Sequence, residues 1–281
     1  MIKNQKLILN WSNGMKNLIV VRGGGDLATG TIYKLYKCGF QVLVLEIENP
    51  SAIRRHVAFS EAVYQGEQKV EDVTCVLVHS VDEAKAELAK RKLVMLVDSK
   101  GESIAKLKPM AVVDAILAKR NLGTQNEMAP IVIGVGPGFE AGKDVHAVVE
   151  TLRGHNLGRV IYHGAAEKNT GIPGEIGGYG KERVIHSPAA GILRNKKKIG
   201  ELVKKGEVVA VIENVDEKVL VHATIDGLLR GMIRDGYPVT AGFKIADIDP
   251  RESEYDNCFT ISDKARCIAG GVLEAILHLR G

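Results

Sequence analysis

What is scarce narrows the reading first. The 281 residues include four cysteines, Cys38, Cys75, Cys258 and Cys267, with no CxxC pair among them. A disulfide framework or a structural zinc site would need closer spacing, and neither is expected. Aromatic residues make up 5% of the chain, with a single tryptophan. They are not interleaved with basic residues as a stacking platform for nucleic acid requires. The net charge is +4, too small and too dispersed for a nucleic-acid footprint. No apolar run approaches the roughly 20 residues that span a bilayer. Nothing at the N-terminus has the layout of a signal peptide. The expected setting is a reducing cytoplasm, with no nucleic acid and no membrane as partner.

Glycine, by contrast, is abundant and unevenly spread. Twelve of the fifty residues from 131 to 180 are Gly, against roughly one in fourteen in ordinary composition. Ile131 to Val135 reads as a buried strand, and Gly134, Gly136, Pro137, Gly138 and Gly142 as the turn that follows. Val145, Val148, Val149 and Leu152 then fall at i, i+3, i+4 and i+7, one apolar helix face that Gly154 would end. A strand, a glycine turn and a helix N-terminus together present backbone N–H groups to a phosphate. Lys143 would add positive charge there, and Asp144 and His146 could serve a ligand on the loop. The plain alternative is that the glycines make tight turns and Lys143, His146, Glu150 and Arg153 form a solvated helix face.

A second glycine loop lies nearer the N-terminus. Residues 1–14 have little pattern, and Met15 is another possible start, so they read as an extension. Leu18 to Val21 is a strand, followed by VRGGGDLATG. A helix carrying Ala28, Ile32, Leu35 and Tyr36 leads to a second strand ending at Glu46. This βαβ unit holds Gly23-x-Gly25-x-x-Ala28, the Gly/Ala form of the dinucleotide fingerprint. Glu46 sits where a carboxylate can accept from a ribose hydroxyl. Asp26 departs from the pattern, since a pyrophosphate would normally lie there. It could cap the helix, repel phosphate, or hold a bridging cation. Arg54 and Arg55 are either a solvated face or contacts to a phosphate. Strands and helices continue to alternate to residue 116, which predicts a parallel, doubly wound sheet with ligands at the carboxyl ends of its strands. Both glycine loops, Glu46 and Asp98 fall at such ends. Residues 167–180 read as a binding loop.

From residue 187 the chain repeats itself at an offset of 36: Gly191 matches Gly227, Leu193 Leu229, Arg194 Arg230, Gly206 Gly242 and Ile212 Ile248. Identity at fixed spacing argues for two copies of one β unit. SPAAGIL, VKKGEVVAVIE and VHATIDGLL resemble blocks of the biotinyl/lipoyl-carrier fold, the barrel-sandwich hybrid. That resemblance puts the carrier position at Asp216, with Lys218 two places off, so no biotin or lipoyl group is expected. The module's role is then packing, docking or homo-oligomerisation. After it, Ala265, Ile268, Ala269, Val272, Ile276 and Leu279 mark an amphipathic helix. The expected fold class is α/β: a Rossmann-like doubly wound parallel sheet over residues 15–182, the small all-β barrel-sandwich hybrid over 183–250, and a loop with a C-terminal helix packing back over 251–281.

Taken in order, RGGGDLATG, VDAILAKRNLGT, GVGPGFEAGKDVHAVVETLRGHNLGRVIY, NTGIPGEIGG, DPR (249–251) and ISDKARCIAGGVLEAIL resemble the YqeB-type accessory proteins, from about residue 15 to the end. These are associated with selenium-dependent molybdenum hydroxylases, and distantly resemble XdhC-type factors that bind molybdenum cofactor. The resemblance implies a maturation factor for a hydroxylase apoprotein, holding a molybdopterin (di)nucleotide on the two loops. Two other readings stay open: an NAD(P)-dependent oxidoreductase, suggested by the first βαβ unit alone, and a scaffold that docks a hydroxylase subunit. A factor that handles selenium or sulfur needs a nucleophile, and Cys258, in EYDNCFTIS, is the cysteine expected on a reachable loop. The candidate ligand residues are Gly23, Gly25, Asp26, Glu46, Gly134, Gly136, Gly138, Lys143, Asp144 and His146, with no metal site.

Overall fold

The computed structural model describes residues 17–169, 171, 174–215 and 217–281. The first part of the chain runs β1 (Leu18–Arg22), α1 (Asp26–Lys37), β2 (Gln41–Glu46), α2 (Ala62–Gln65), β3 (Glu67–Val70), β4 (Val73–Val78), α3 (Val81–Ala89), β5 (Leu93–Val97), α4 (Glu102–Leu107) and β6 (Ala111–Asp114). It continues through β7 (Ile131–Val135), β8 (Glu140–Ala141), β9 (Ala147–Val149), β10 (Val160–Ile161) and β11 (Gly164–Ala165). Nine of these strands form one sheet in the order β10-β9-β7-β6-β1-β2-β5-β4-β3. The strands from β9 to β4 run parallel, while β10 and β3 are antiparallel edges.

The central strands are apolar on both faces because both faces are covered. In β1, Ile19 and Val21 join the core under α1, whereas Leu18 and Val20 join the core under α3 and α4. On the first face α1 lies beside the long helix α5 (Asp263–Leu279). Ser262 caps α5 by accepting from the Ala265 N–H at 3.2 Å. Ile268, Val272 and Ile276 are fully buried, each contributing about 1.5–3 kcal/mol of transfer free energy.

The last third runs β12 (Val184–His186), β13 (Gly191–Asn195), β14 (Leu202–Val203), β15 (Val208–Glu213), β16 (Lys218–His222), β17 (Gly227–Met232), β18 (Pro238–Val239) and β19 (Lys244–Asp249). Two antiparallel four-stranded sheets result, β12-β19-β17-β14 and β16-β15-β13-β18. The two copies of the repeat interlock: β14 of the first pairs with β17 of the second, and β18 of the second with β13 of the first. Gly191 and Gly227 sit at matched places, where an added Cβ would meet the carbonyl of Glu213 at 2.5 Å or of Asp249 at 2.4 Å.

The expected fold class is therefore corrected. In place of a Rossmann-like doubly wound parallel sheet with a barrel-sandwich hybrid, the chain forms a large mixed sheet and separate antiparallel sheets. A doubly wound sheet usually carries an α-helix at each parallel crossover, and among the described residues the crossovers from β6 to β7 and from β7 to β9 carry none, only a 3-10 turn at Asn126–Met128. β6 reaches β7 through a loop, and the helix expected from Val145 to Leu152 is instead β9. Three valines at helical spacing also suit a strand, because β-branched side chains are stiff and pack well on a pleated surface. Val149 enters one core and Val145 and Val148 the other, while Leu152 is exposed. The carrier position Asp216 lies outside the described residues. Lys218 pairs with Glu213 at 3.0 Å.

Helix α5 carries two glycines, and they are not equivalent. An added Cβ at Gly271 would sit 2.1 Å from the carbonyl oxygen of Gly158, whereas at Gly270 it would meet only the Lys34 ammonium, at 3.8 Å. Gly271→Ala is expected to lower stability by about 1–3 kcal/mol through overpacking. Gly270→Ala is expected to raise it slightly through helix propensity. Urea midpoints of the two variants read the difference.

Candidate functional site

The first glycine loop is packed from below. Gly23 has φ +92°, and an added Cβ would meet the Ile116 backbone at 2.9 Å; at Gly24 it would meet the Ser60 nitrogen at 3.0 Å. Glu46 braces this turn, its two carboxylate oxygens accepting from the Gly24 N–H at 2.7 Å and the Ile47 N–H at 2.9 Å. Burial pushes the Glu46 pKa up, against these two hydrogen bonds. Both oxygens thus serve the backbone of the turn. Gly25 is the loop's open residue: nothing lies within 4 Å of a built Cβ, and it stands at the N-cap of α1 with no side-chain cap. Asp26 is thus inside the first turn and not the cap. Its carboxylate pairs with Arg54 at 3.5 Å.

The second loop follows β7 at the same carboxyl end of the parallel strands, but its glycines are filled by their own surroundings. An added Cβ would meet the Phe139 ring at 2.5 Å from Gly134, Thr151 Oγ1 at 2.8 Å from Gly136, and the Arg120 backbone at 2.7 Å from Gly138. The chain then returns to the amino end of the strands. There the His146 Nδ1 accepts from the Val132 N–H at 3.0 Å, Asp144 accepts from the Glu140 N–H, and Lys143 pairs with Glu140 at 3.5 Å. The structure therefore sets Gly23, Gly25 and Asp26 and the turn from Gly134 to Gly138 at the same end of the sheet, and Lys143, Asp144 and His146 at the opposite end.

What does meet Gly25 and Asp26 is the β module. A cavity of 410 Å³ lies between the start of α1, residues 51–54, the start of α5, and strands β12, β17 and β19. Its walls carry Arg54, Arg153, Arg183, Arg230, Lys244 and Lys264 against the carboxylates of Asp26 and Asp247. Arg54 is 8% exposed and Arg183 5%. Burial lowers the Arg54 pKa, and the facing Arg230 lowers it further. Burial also lowers the Lys264 pKa, with Arg153 adding to it and Asp26, Glu150 and Asp263 opposing. Converging cations, two of them buried, that depress one another's pKa values form a receptor for an anion. A cavity of 460 Å³ at the opposite end of the strands, near Asn17 and Arg91, has no comparable convergence of buried charge. Among the described residues no group of three or more His, Cys, Asp or Glu side chains converges as a metal site.

Cys258 is not on a reachable loop. It ends a 3-10 turn, is fully buried in the β-module core, and burial pushes its thiol pKa up. Cys38 and Cys267 are exposed.

The chain is 52% identical over 263 residues to the protein YqeB of Escherichia coli K12, a match covering 93% of this chain and 48% of that protein. Over this span the chain is of the YqeB type. It spans about half the length of that relative. No family model matches the YqeB-type chain. Two solved structures align over most of it at low similarity. The ectoine utilization protein EutE (DoeB) of Ruegeria pomeroyi is 10% identical with a TM-score of 0.27, over 84% of this chain and 86% of that one. An aspartoacylase family protein of Mesorhizobium loti is 11% identical with a TM-score of 0.28, over 84% and 85%. At such scores the likeness carries no functional argument.

Arg153, Arg183, Arg230 and Lys264 of the YqeB-type cleft are separated widely in sequence, and no spacing rule joins them. The sequence signal was present only in part: Arg54 had a phosphate contact as its alternative reading, and Arg230 marked a repeat. For the cysteines, Cys38 and Cys267 are expected to react with a maleimide in the native protein, and Cys75 and Cys258 only after denaturation. Peptide mass mapping of the labelled thiols checks this; fast native labelling of Cys258 would contradict its burial.

Proposed function

We propose that the chain is an accessory factor in the maturation of selenium-dependent molybdenum hydroxylases, and that it holds a phosphorylated ligand of the molybdopterin (di)nucleotide class in the cleft between the large sheet and the β module. The observation that carries the ligand part is the excess of cationic side chains in that cleft, led by the buried Arg54 and Arg183 and the largely buried Arg230. The volume, 410 Å³, lies within the ordinary range of small-ligand sites, about 300–1,000 Å³. The uncapped start of α1 at Gly25 adds unpaired N–H groups and the positive end of a helix dipole. The maturation part rests on the YqeB-type motifs, and the partner it calls for is a hydroxylase apoprotein. The NAD(P)-dependent reading rests on the first βαβ unit alone, where Glu46 braces the glycine turn.

The test is to purify the protein gently from cells that make the hydroxylase, release any bound small molecule, and identify it by mass spectrometry. A phosphorylated pterin is the expected finding. A nicotinamide dinucleotide, or sustained turnover of NADH, would overturn the proposal.

Anion affinity should also depend on pH in a defined direction. The Lys264 ammonium, held below the ordinary lysine range first by burial, contributes attraction only while protonated. Sulfate, which does not titrate here, should bind more weakly as pH rises through that lowered pKa. Lys264→Arg, whose guanidinium stays charged, should flatten the profile. Titration calorimetry across pH reads both curves, and identical slopes would remove Lys264 from the site.

A further inference from the structure

The β-module repeat supplies its own comparison. In the first copy Arg194 makes an ordinary surface ion pair, its Nε donating to Glu213 at 3.0 Å. At the offset of 36, Arg230 corresponds to Arg194 and Asp249 to Glu213. The second copy does not form that hydrogen bond. The Asp249 carboxylate is held instead by Arg251, which donates from Nε at 2.9 Å, from a terminal guanidinium nitrogen at 2.8 Å, and from its backbone N–H at 3.1 Å. Burial pushes the Asp249 carboxyl up, and Arg251 outweighs it, so the group stays below the ordinary carboxylate range. Arg230 is left 4.0 Å from Asp249 and 3.9 Å from Asp247. Asp247 is itself held by Arg183 at 3.3 Å. The first copy has Val215 at the place of Arg251 and Val211 at the place of Asp247, so neither competing contact exists there.

The result is a buried Arg230 Nε with no hydrogen-bond partner among the described residues. The Arg54 Nε, in a side chain that is 8% exposed, is likewise buried without a partner. Both side chains line the same cavity. The rest of the Arg54 guanidinium is fixed, donating to the carbonyls of Asn257 at 2.7 Å and Thr260 at 3.2 Å and pairing with Asp26 at 3.5 Å. An unsatisfied donor in a buried guanidinium is costly, and two facing each other are more so. The two Nε atoms are themselves closed to solvent, so an oxyanion in the cavity that both side chains line would meet the guanidinium groups at their other nitrogens and offset their mutual repulsion.

We infer that Arg230 and Arg54 are the anchoring pair for a phosphate group, and that Arg251 is a positioning residue that keeps Arg230 available by occupying Asp249. This deepens the proposed function and rests on its reading of the cleft as the ligand site. The DPR sequence at 249–251 then uncouples one arginine of a duplicated ion pair, so that it can take an external anion.

The experiment titrates inorganic phosphate, cytidine monophosphate and cytidine into the purified full chain by calorimetry, with each variant checked for native melting. Arg230→Gln should weaken phosphate binding by about tenfold or more, the scale of a lost charged hydrogen bond. Arg194→Gln should leave it unchanged. Arg251→Gln should weaken it too, as Arg230 falls back onto Asp249. Adding Asp249→Asn to Arg251→Gln should restore binding, a rescue that a merely structural role for Arg251 would not give. Binding of cytidine monophosphate but not cytidine assigns the phosphate to a ligand; exclusion of both assigns it to free phosphate, and either upholds the anchor. Wild-type affinity in a folded Arg230→Gln, or no rescue in the double variant, would overturn it. If Arg251→Gln does not fold, Arg230→Lys decides, since lysine keeps the charge but loses the fork; undiminished affinity there counts against the proposal. Phosphate binding through Arg230 with no pterin ever recovered would sink the maturation reading and leave the anchor standing.

Discussion

The geometry of the cleft depends on how residues 51–55 are clamped between the large sheet and the β module. The Met232 N–H donates to the Ile53 carbonyl at 2.8 Å, and the Arg55 Nε donates back to the Met232 carbonyl at 2.8 Å. Gly231 makes the approach possible, since an added Cβ would lie 2.7 Å from the Ile53 side chain. Next to this seam Glu61, buried, pairs with Arg234 at 2.6 Å and Arg55 at 3.8 Å, and Arg234 lies over the Tyr64 ring. The two backbone-anchored bonds are short and reciprocal, and the Glu61 carboxylate beside them is buried, which is when charged contacts hold a geometry well. With the seam fixed, the start of α1 and the inner sheet of the β module face each other at a set distance.

Much of the fold was legible in the sequence because local and tertiary preferences agree. The pattern from Leu18 to Glu46 gave β1, α1 and β2, and the apolar spacing from Ala265 gave the buried face of α5. The repeat at offset 36 reappears in the structure as β13, β14 and β15 against β17, β18 and β19, with matching starts. What misled was Val145 to Leu152, where helical spacing and strand-forming valines compete and the tertiary context chose the strand. The doubly wound expectation failed with it, because it needed a helix there.

The site was less legible, for a physical reason. A fingerprint such as Gly23-x-Gly25 records local backbone needs, and here Gly23 and Gly24 serve close packing against Ile116 and Ser60. The charges that matter converge from widely separated stretches of chain. Nothing in the sequence tells a solvated Arg230 from a buried one; only the neighbouring Arg251 and Asp247 do. The same limit applies to Cys258, which sits in a polar run yet is drawn under the β module by Tyr255 and Phe259, whose rings tilt against each other at 5.1 Å.

The interlocked repeat carries one more implication. Each four-stranded sheet of the β module borrows a short strand from the opposite copy, β18 in one and β14 in the other. Neither copy can complete its hydrogen-bond ladder alone, so the module has no autonomous half. Its ancestral single unit would have had to exist as a pair of chains, and fusion into one polypeptide freed the two halves to diverge. That asymmetry is visible now: one copy turns its arginine to solvent, and the other turns the equivalent residue toward the sheet.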